Sequence, residues 1–107
     1  MIITVFRSRL MPGLKGEYVG LVERMAELAK TMPGYISHKG FWADDGERCT
    51  IVEFEHEEGQ TAWRKNAEHM AAQKLGRTKY YEMYDIKVAK VSYDHHFERK
   101  KEAVTGA

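Results

Sequence analysis

The sequence predicts an α+β fold of the ferredoxin-like kind, β-α-β-β-α-β, in which a four-stranded antiparallel sheet carries two main helices on one face. Three observations predict it. The apolar residues switch, in that order along the chain, between a strand-like spacing of two and a helix-like spacing of three and four. An acidic, glycine-containing turn separates the two central strand-like runs. Those runs also carry apolar side chains on both faces, more than two helices can cover.

Ile2 to Arg9 is rich in β-branched and aromatic residues and reads as the first strand, ending at the turn signal Met11-Pro12-Gly13. From there Leu14, Tyr18, Leu21, Val22, Met25, Leu28, Ala29 and Met32 keep steps of three and four until Pro33-Gly34 stops them, the pattern of an amphipathic helix. Tyr35 to Ala43 and Cys49 to Glu55 are strand-like, and Asp44-Asp45-Gly46-Glu47 between them supplies the residues that a tight hairpin needs. Glu57-Glu58-Gly59 opens a second helix, with acidic residues where the helix dipole favours them. Trp63, Ala67, Met70, Ala71 and Leu75 form its apolar stripe. Gly76 marks an end or a kink. Tyr84 to Phe97 alternates apolar residues on two faces and reads as a long last strand. Residues 1–97 are expected to form one domain and 98–107 a charged, frayed tail.

At 107 residues the chain has the size of a single domain that buries most of its apolar surface without disulfides. Seventeen Lys and Arg against sixteen Asp and Glu leave a net charge of +1, so no global field draws it to nucleic acid or to an anionic membrane. Lys65, Lys74, Lys79, Arg64 and Arg77 are interleaved with Glu68 and Glu82, which weakens a nucleic-acid reading further. The single cysteine, Cys49, has no internal partner, and Met1-Ile2-Ile3-Thr4 lacks the pattern of a signal peptide. No apolar run approaches the roughly 18 to 20 residues that span a bilayer. A cytoplasmic protein without a membrane partner is the expectation.

Ile3 and Val5 oppose Ile2 and Phe6, Tyr35 and Phe41 oppose Ile36 and Trp42, and Ile51 opposes Val52 and Phe54. With helices on one side only, the second face would leave an apolar patch larger than monomers usually carry. Pairing two such sheets face to face predicts a homodimer whose sheets form one barrel.

The stretch with chemical content is Trp63-Arg64-Lys65-Asn66-Ala67-Glu68-His69, running on through Ala72-Gln73 to Gly76-Arg77. Six residues apart on a continuous helix, Trp63 and His69 would be separated by about 120° around the axis and roughly 9 Å along it. His69 would share a polar stripe with Asn66 and Gln73, while Trp63 would lie with Ala67 and Met70. Such neighbours can line a cleft between helix and sheet, the indole as a flat wall and the imidazole as a proton acceptor or metal ligand. Spacing alone favours the plainer reading, a core tryptophan and a partly exposed helix histidine.

From about Met1 to Phe97 the order of the Pro33-Gly34-Tyr35 junction, the Trp63 to His69 spacing, Ala72-Gln73, Gly76-Arg77 and the Tyr84 to Tyr93 strand resembles the antibiotic biosynthesis monooxygenase family. The resemblance implies a dimeric barrel with one pocket per subunit between the helices and the sheet. It also implies cofactor-free oxidation of a small aromatic, polyphenolic substrate, or a dimeric module that binds such a ligand without turnover, or haem degradation. Fold does not choose among these. In the first, an electron-rich phenol would lose a proton and its anion would pass electrons to oxygen. Trp63 would be the ring wall, Asn66 a hydrogen-bond donor, His69 the base and Arg77 a charge stabiliser. No cofactor and no metal would be required.

In a haem site His69 would be the axial ligand and Trp63 would press on the porphyrin. The haem-degrading members carry an asparagine late in the first strand, where this chain has Phe6-Arg7-Ser8-Arg9, and their Trp-to-His spacing is longer, so haem is disfavoured. His95 and His96 point to opposite faces of a strand and make poor joint ligands, and with His38 and His56 they read as surface residues. Cys49 reads as a semi-buried thiol. Tyr80, Tyr81, Tyr84 and Met83 read as core and pocket wall.

Overall fold

The computed structural model describes residues 1–100. Its elements are β1 (Ile2–Leu10), α1 (Lys15–Lys30), β2 (Tyr35–Trp42), β3 (Arg48–Phe54), α2 (Glu57–Lys65), α3 (Ala67–Leu75), a π-helical turn (Gly76–Tyr80) and β4 (Tyr81–Lys90). The strands form one open antiparallel sheet in the order β2-β3-β1-β4, the ferredoxin-like arrangement the sequence predicts. Gly13, Gly34 and Gly46 adopt positive φ at the turns that follow β1, α1 and β2, conformations that only glycine enters without strain.

Partners in antiparallel strands point to the same side, so the register writes out the helix-facing surface row by row. Ile2 pairs with Phe54, Thr4 with Val52 and Val88, Phe6 with Thr50 and Ile86, and Ser8 with Arg48 and Tyr84. On the far side of β3, His38 pairs with Val52, Gly40 with Thr50 and Trp42 with Arg48. Over the Ile2 end of this surface, Val52 and Phe54 pack with Met25, Leu28 and Ala29 of α1 and Trp63 of α2 to form the dry core. Gly59 lets α2 settle there: a Cβ would overlap the Pro33 carbonyl oxygen and come to 2.8 Å from the Phe54 ring.

Two elements differ from the sequence pattern. The second helix is not continuous, because Asn66 is extended (φ −61°, ψ 136°) and ends α2 while capping α3, its Oδ1 accepting from the backbone N–H of Glu68 and His69. A short amide side chain that satisfies free helix N–H groups competes with helix continuation, and here it wins. The last strand runs Tyr81–Lys90 and not on to Phe97, because its partner begins at Ile2: Lys90 is opposite Ile2, and Val91 makes one more bond to Met1 before the ladder ends. His95, His96 and Phe97 therefore lie exposed beyond the sheet. Glu98 to Lys100 have no regular structure, and the rest of the expected tail lies outside the described residues. No helix among the described residues is long and apolar enough to cross a membrane.

Candidate functional site

Between the helices and the middle of the sheet lies a cavity of about 280 Å³. Thr4, Phe6, His38, Thr50, Tyr84 and Ile86 form its floor from the sheet. Tyr18, Leu21, Val22 and Met25 come from α1, Trp63 and Arg64 from α2, and His69, Ala72 and Gln73 from α3; Arg77 and Tyr81 close it at the π-helical turn and the start of β4. Arg64, Arg77, Tyr84 and Ile86 line the cavity and are also exposed, so they mark its mouth. No group of three His, Cys, Asp or Glu side chains among the described residues could hold a metal ion.

The break at Asn66 decides the geometry. The imidazole of His69 stacks on the Trp63 indole, with ring centroids 4.1 Å apart and planes 16° from parallel. The indole is itself buried and meets Phe54 at 6.1 Å and, edge-on, His38 at 5.9 Å. Burial is the main cause that lowers the pKa of His69 to about 4, with the neighbouring His38 adding to it. His38 is lowered too, again mainly by burial. Both imidazoles are neutral near pH 7, the state in which a histidine can accept a proton. Gln73, one turn on from His69, places its amide 3.3 Å from Nδ1. With Oε1 toward the ring, Nδ1 carries the proton and Nε2 is left as acceptor; with the amide NH2 toward it, the tautomer is reversed.

At the other end of the cavity the hydroxyls of Tyr18 and Tyr81 are hydrogen-bonded at 2.7 Å. Burial raises both pKa values, so the pair is neutral and donates to each other or to a ligand. Phe6 meets Tyr81 edge-on at 5.4 Å and Tyr84 at 5.7 Å, which gives this end an aromatic wall. Behind it Arg48 is buried, its Nε without a hydrogen-bond partner and its guanidinium 4.9 Å over the Trp42 ring. Gly40 makes room for it, since any Cβ there would overlap the guanidinium. Ser8 Oγ, Thr4 Oγ1 and Trp63 Nε1 are likewise buried without partners, and Thr4 and Trp63 line the cavity. Unpaired buried polar atoms around a cavity are what a ligand's own polar groups would satisfy.

Of the four residues singled out from the sequence, the fold brings Trp63, His69 and Arg77 to the cavity. Asn66 does not line it; its side chain is engaged as the cap of α3. His38, read as a surface histidine, is half-buried on the floor; its alternation with Gly40 and Trp42 was the signal that it faces inward. Tyr81 and Tyr84 are wall residues, whereas Met83 is exposed opposite Arg9 on the other face. Tyr18 and Arg64 line the cavity although nothing in their local sequence sets them apart, whereas Gln73 lies beside His69 as the shared polar stripe predicts.

A sheet of this order with helices over an aromatic cavity defines a small ferredoxin-like α+β protein, and the comparisons place it in a family. The model of the family described as "Antibiotic biosynthesis monooxygenase" matches residues 1–75. The chain is 33% identical over 81 residues to Uncharacterized protein YqjZ of Bacillus subtilis (strain 168), a match that covers 76% of this chain and 71% of that protein. It belongs to the antibiotic biosynthesis monooxygenase family. Among solved structures, Rv0793 from Mycobacterium tuberculosis superposes with a TM-score of 0.78 at 11% identity, covering 89% of this chain and 98% of that one. A mutant of SnoaB, a cofactor-independent oxygenase from Streptomyces nogalater, superposes with a TM-score of 0.75 at 12% identity, covering 87% and 94%. At these identities the likeness is one of fold. Arg77, Tyr81 and Tyr84 lie beyond the residues that the family model matches.

Proposed function

We propose that this protein is a cofactor-independent monooxygenase acting on a small electron-rich aromatic molecule in the cavity under α3. The observation that carries the reading is a neutral His69 held flat on Trp63 in an aromatic-lined cavity. His69, which burial makes a weak base, takes a proton from a phenol or from the acidic carbon of an anthrone as the surrounding donors stabilise the anion that forms. The resulting carbanion passes one electron to O2, and the two radicals combine to a peroxide at that carbon. Loss of water leaves a carbonyl, so one oxygen atom enters the product, the other leaves as water, and no bound redox group is needed. The Tyr18–Tyr81 pair donates to the anionic oxygen, and Arg77 adds positive charge at the mouth. Trp63 serves as wall and as the platform that holds the imidazole. Asn66 acts through the helix break that brings the two rings together. The haem alternative fits less well, because the imidazole that would ligate iron lies flat on the indole that would press on the porphyrin. SnoaB, the oxygenase of similar fold, supports the cofactor-free reading.

We also propose a homodimer formed through the helix-free face of the sheet, where Ile3, Val5, Ile51 and Cys49 are only half-buried and Phe41 is 47% exposed. Single, unpaired Cys49 is in keeping with a reducing, cytoplasmic setting. The test of function is oxygen uptake with an anthrone substrate. His69→Ala is expected to lower kcat by about 100-fold or more, the usual contribution of a general base, with folding retained. If the ring binds but uptake does not exceed the buffer rate, the protein is a binding module. Sedimentation equilibrium tests the assembly: a dimer at micromolar concentration is expected, and a monomer would overturn it.

A further inference from the structure

The arginines of this chain are not spread evenly with respect to their partners. Among the described residues Arg7 pairs with Glu47, Arg9 with Asp45 and Glu47, and Arg24 with Glu68. Arg99 lies out on the tail over Phe97. Among the described residues Arg48, Arg64 and Arg77 have no carboxylate partner; the last two line the cavity and Arg48 does not. Arg64 and Arg77 stand at its mouth, and Arg48 lies buried behind Tyr18 and Tyr81, close enough for its charge to act on both hydroxyls. No aspartate or glutamate among the described residues lines the cavity. Among the described residues the two arginines, Arg64 and Arg77, are thus the only Lys, Arg, Asp or Glu side chains in the cavity lining, in a chain whose net charge is only +1.

A cavity walled by low-dielectric aromatic groups focuses such a field, and guanidinium groups with free donors match a carboxylate in geometry as well as charge. We infer that the cavity is selective for anionic aromatic molecules, its natural substrate being a flat ring system with a carboxylate that Arg64 and Arg77 hold at the mouth. The ring then reaches inward past Phe6 and Tyr84 toward His69, while the acid group stays at the exposed rim and retains part of its hydration. Charge at the mouth thus fixes which end of the molecule enters first, which a purely apolar slot does not do. This inference rests on the aromatic-substrate reading and names the class of substrate within it.

The experiment is calorimetric titration of the whole chain with anthracene-2-carboxylate and with anthracene-2-carboxamide, which share one ring system and differ in charge. At pH 7.5 and low salt the carboxylate is expected to bind about tenfold more tightly, the scale of one charge-assisted contact. Raising the salt is expected to shrink that ratio, because the groups at the mouth are exposed. In the double variant Arg64→Met, Arg77→Met the ratio should fall to near one while the carboxamide still binds, and an unchanged circular dichroism spectrum and urea midpoint show that the variant is folded. Equal or weaker binding of the carboxylate by the wild-type chain overturns the inference and leaves the aromatic cavity standing. A tenfold preference that survives in the double variant overturns the assignment to the two arginines. If neither probe binds, the inference falls together with the aromatic reading beneath it.

Discussion

The helix-facing surface of the sheet has two ends built from the same four strands, and they are made of different material. At one end Ile2, Val52 and Phe54 lie under Leu28, Ala29 and Trp63, and nearly every atom is apolar; Phe54 and Ala29 have no exposed surface. At the other end the row is Trp42, Arg48, Ser8 and Tyr84, roofed by Tyr18 and Tyr81, with a buried guanidinium Nε and a buried hydroxyl left without partners. The cavity lies between them. The first end holds the fold together by removing apolar area from water. The second gives up part of that stabilisation by keeping polar groups dry and unpaired. Of the four buried unpaired atoms among the described residues, those of Thr4 and Trp63, not of Arg48 and Ser8, belong to residues that line the cavity.

That contrast can be broken most directly at Phe54. Phe54→Ala removes a fully buried ring from the dry end and is expected to cost about 3 to 5 kcal/mol, read as a fall in the urea midpoint. A loss below about 1 kcal/mol would mean the stability resides elsewhere.

The next effect belongs to the cavity and depends on pH. His69 is neutral in the fold down to about pH 4, whereas in the unfolded chain it takes up its proton near 6.5. Between those values the unfolded chain binds the extra proton, so stability rises with pH across the window and is lost as pH falls through it. His69 contributes at most about 3 kcal/mol to this slope, and His38, shifted in the same direction, adds to it. Urea midpoints at pH 4.5 and 6.5 should therefore converge in His69→Gln. An unchanged slope would show that the imidazole is not held neutral by burial. Asn66→Ala sharpens the point: losing the cap costs about 1 kcal/mol, and as the stacking loosens the His69 titration followed by NMR should move back up toward 6.5.

A matched glycine pair separates the two ends by mechanism. Alanine is ordinarily the better helix former, yet at Gly59 its methyl would overlap the Pro33 backbone, so Gly59→Ala should lower stability by about 1 to 3 kcal/mol. At Gly76 the methyl would instead meet the Tyr81 ring, a side chain beside an open cavity that can give way. Gly76→Ala should cost less in denaturation and show mainly as weakened anthracene-2-carboxamide binding. The smallest change in stability is expected for Arg48→Met. Replacing a buried, unpaired charge by an apolar group of similar length should change the urea midpoint by less than about 1 kcal/mol, or raise it. A loss as large as that of Phe54→Ala would erase the distinction between the ends.

The course of the fold was legible because its signals are local. The three-and-four spacing from Leu14 to Met32, the Pro33-Gly34 stop and the Asp44 to Glu47 turn each lie within a short window of chain, and α1, β2 and β3 follow them within a residue or so. The apolar residues on both sheet faces were equally plain. Trp63, His69 and Arg77 could be picked out as residue types worth watching, and the fold brings all three to one cavity. The end of β4 was not legible in the same way, since its length depends on where β1 begins and not on its own alternation.

What only the tertiary structure decided is how those residues meet. A continuous helix would hold the indole and the imidazole apart; the Asn66 cap, one side chain answering two backbone N–H groups, folds them onto each other at 4.1 Å. Tyr18 and Tyr81 are joined across 63 residues of sequence, and Arg48 lies under them because strand register places it opposite both Ser8 and Trp42. The sequence by itself determined the elements and their order, because periodicity is set by neighbours within a turn or a pleat. The cavity and its charge are set by the register between strands and the seating of helices on them, contacts between residues far apart in the chain.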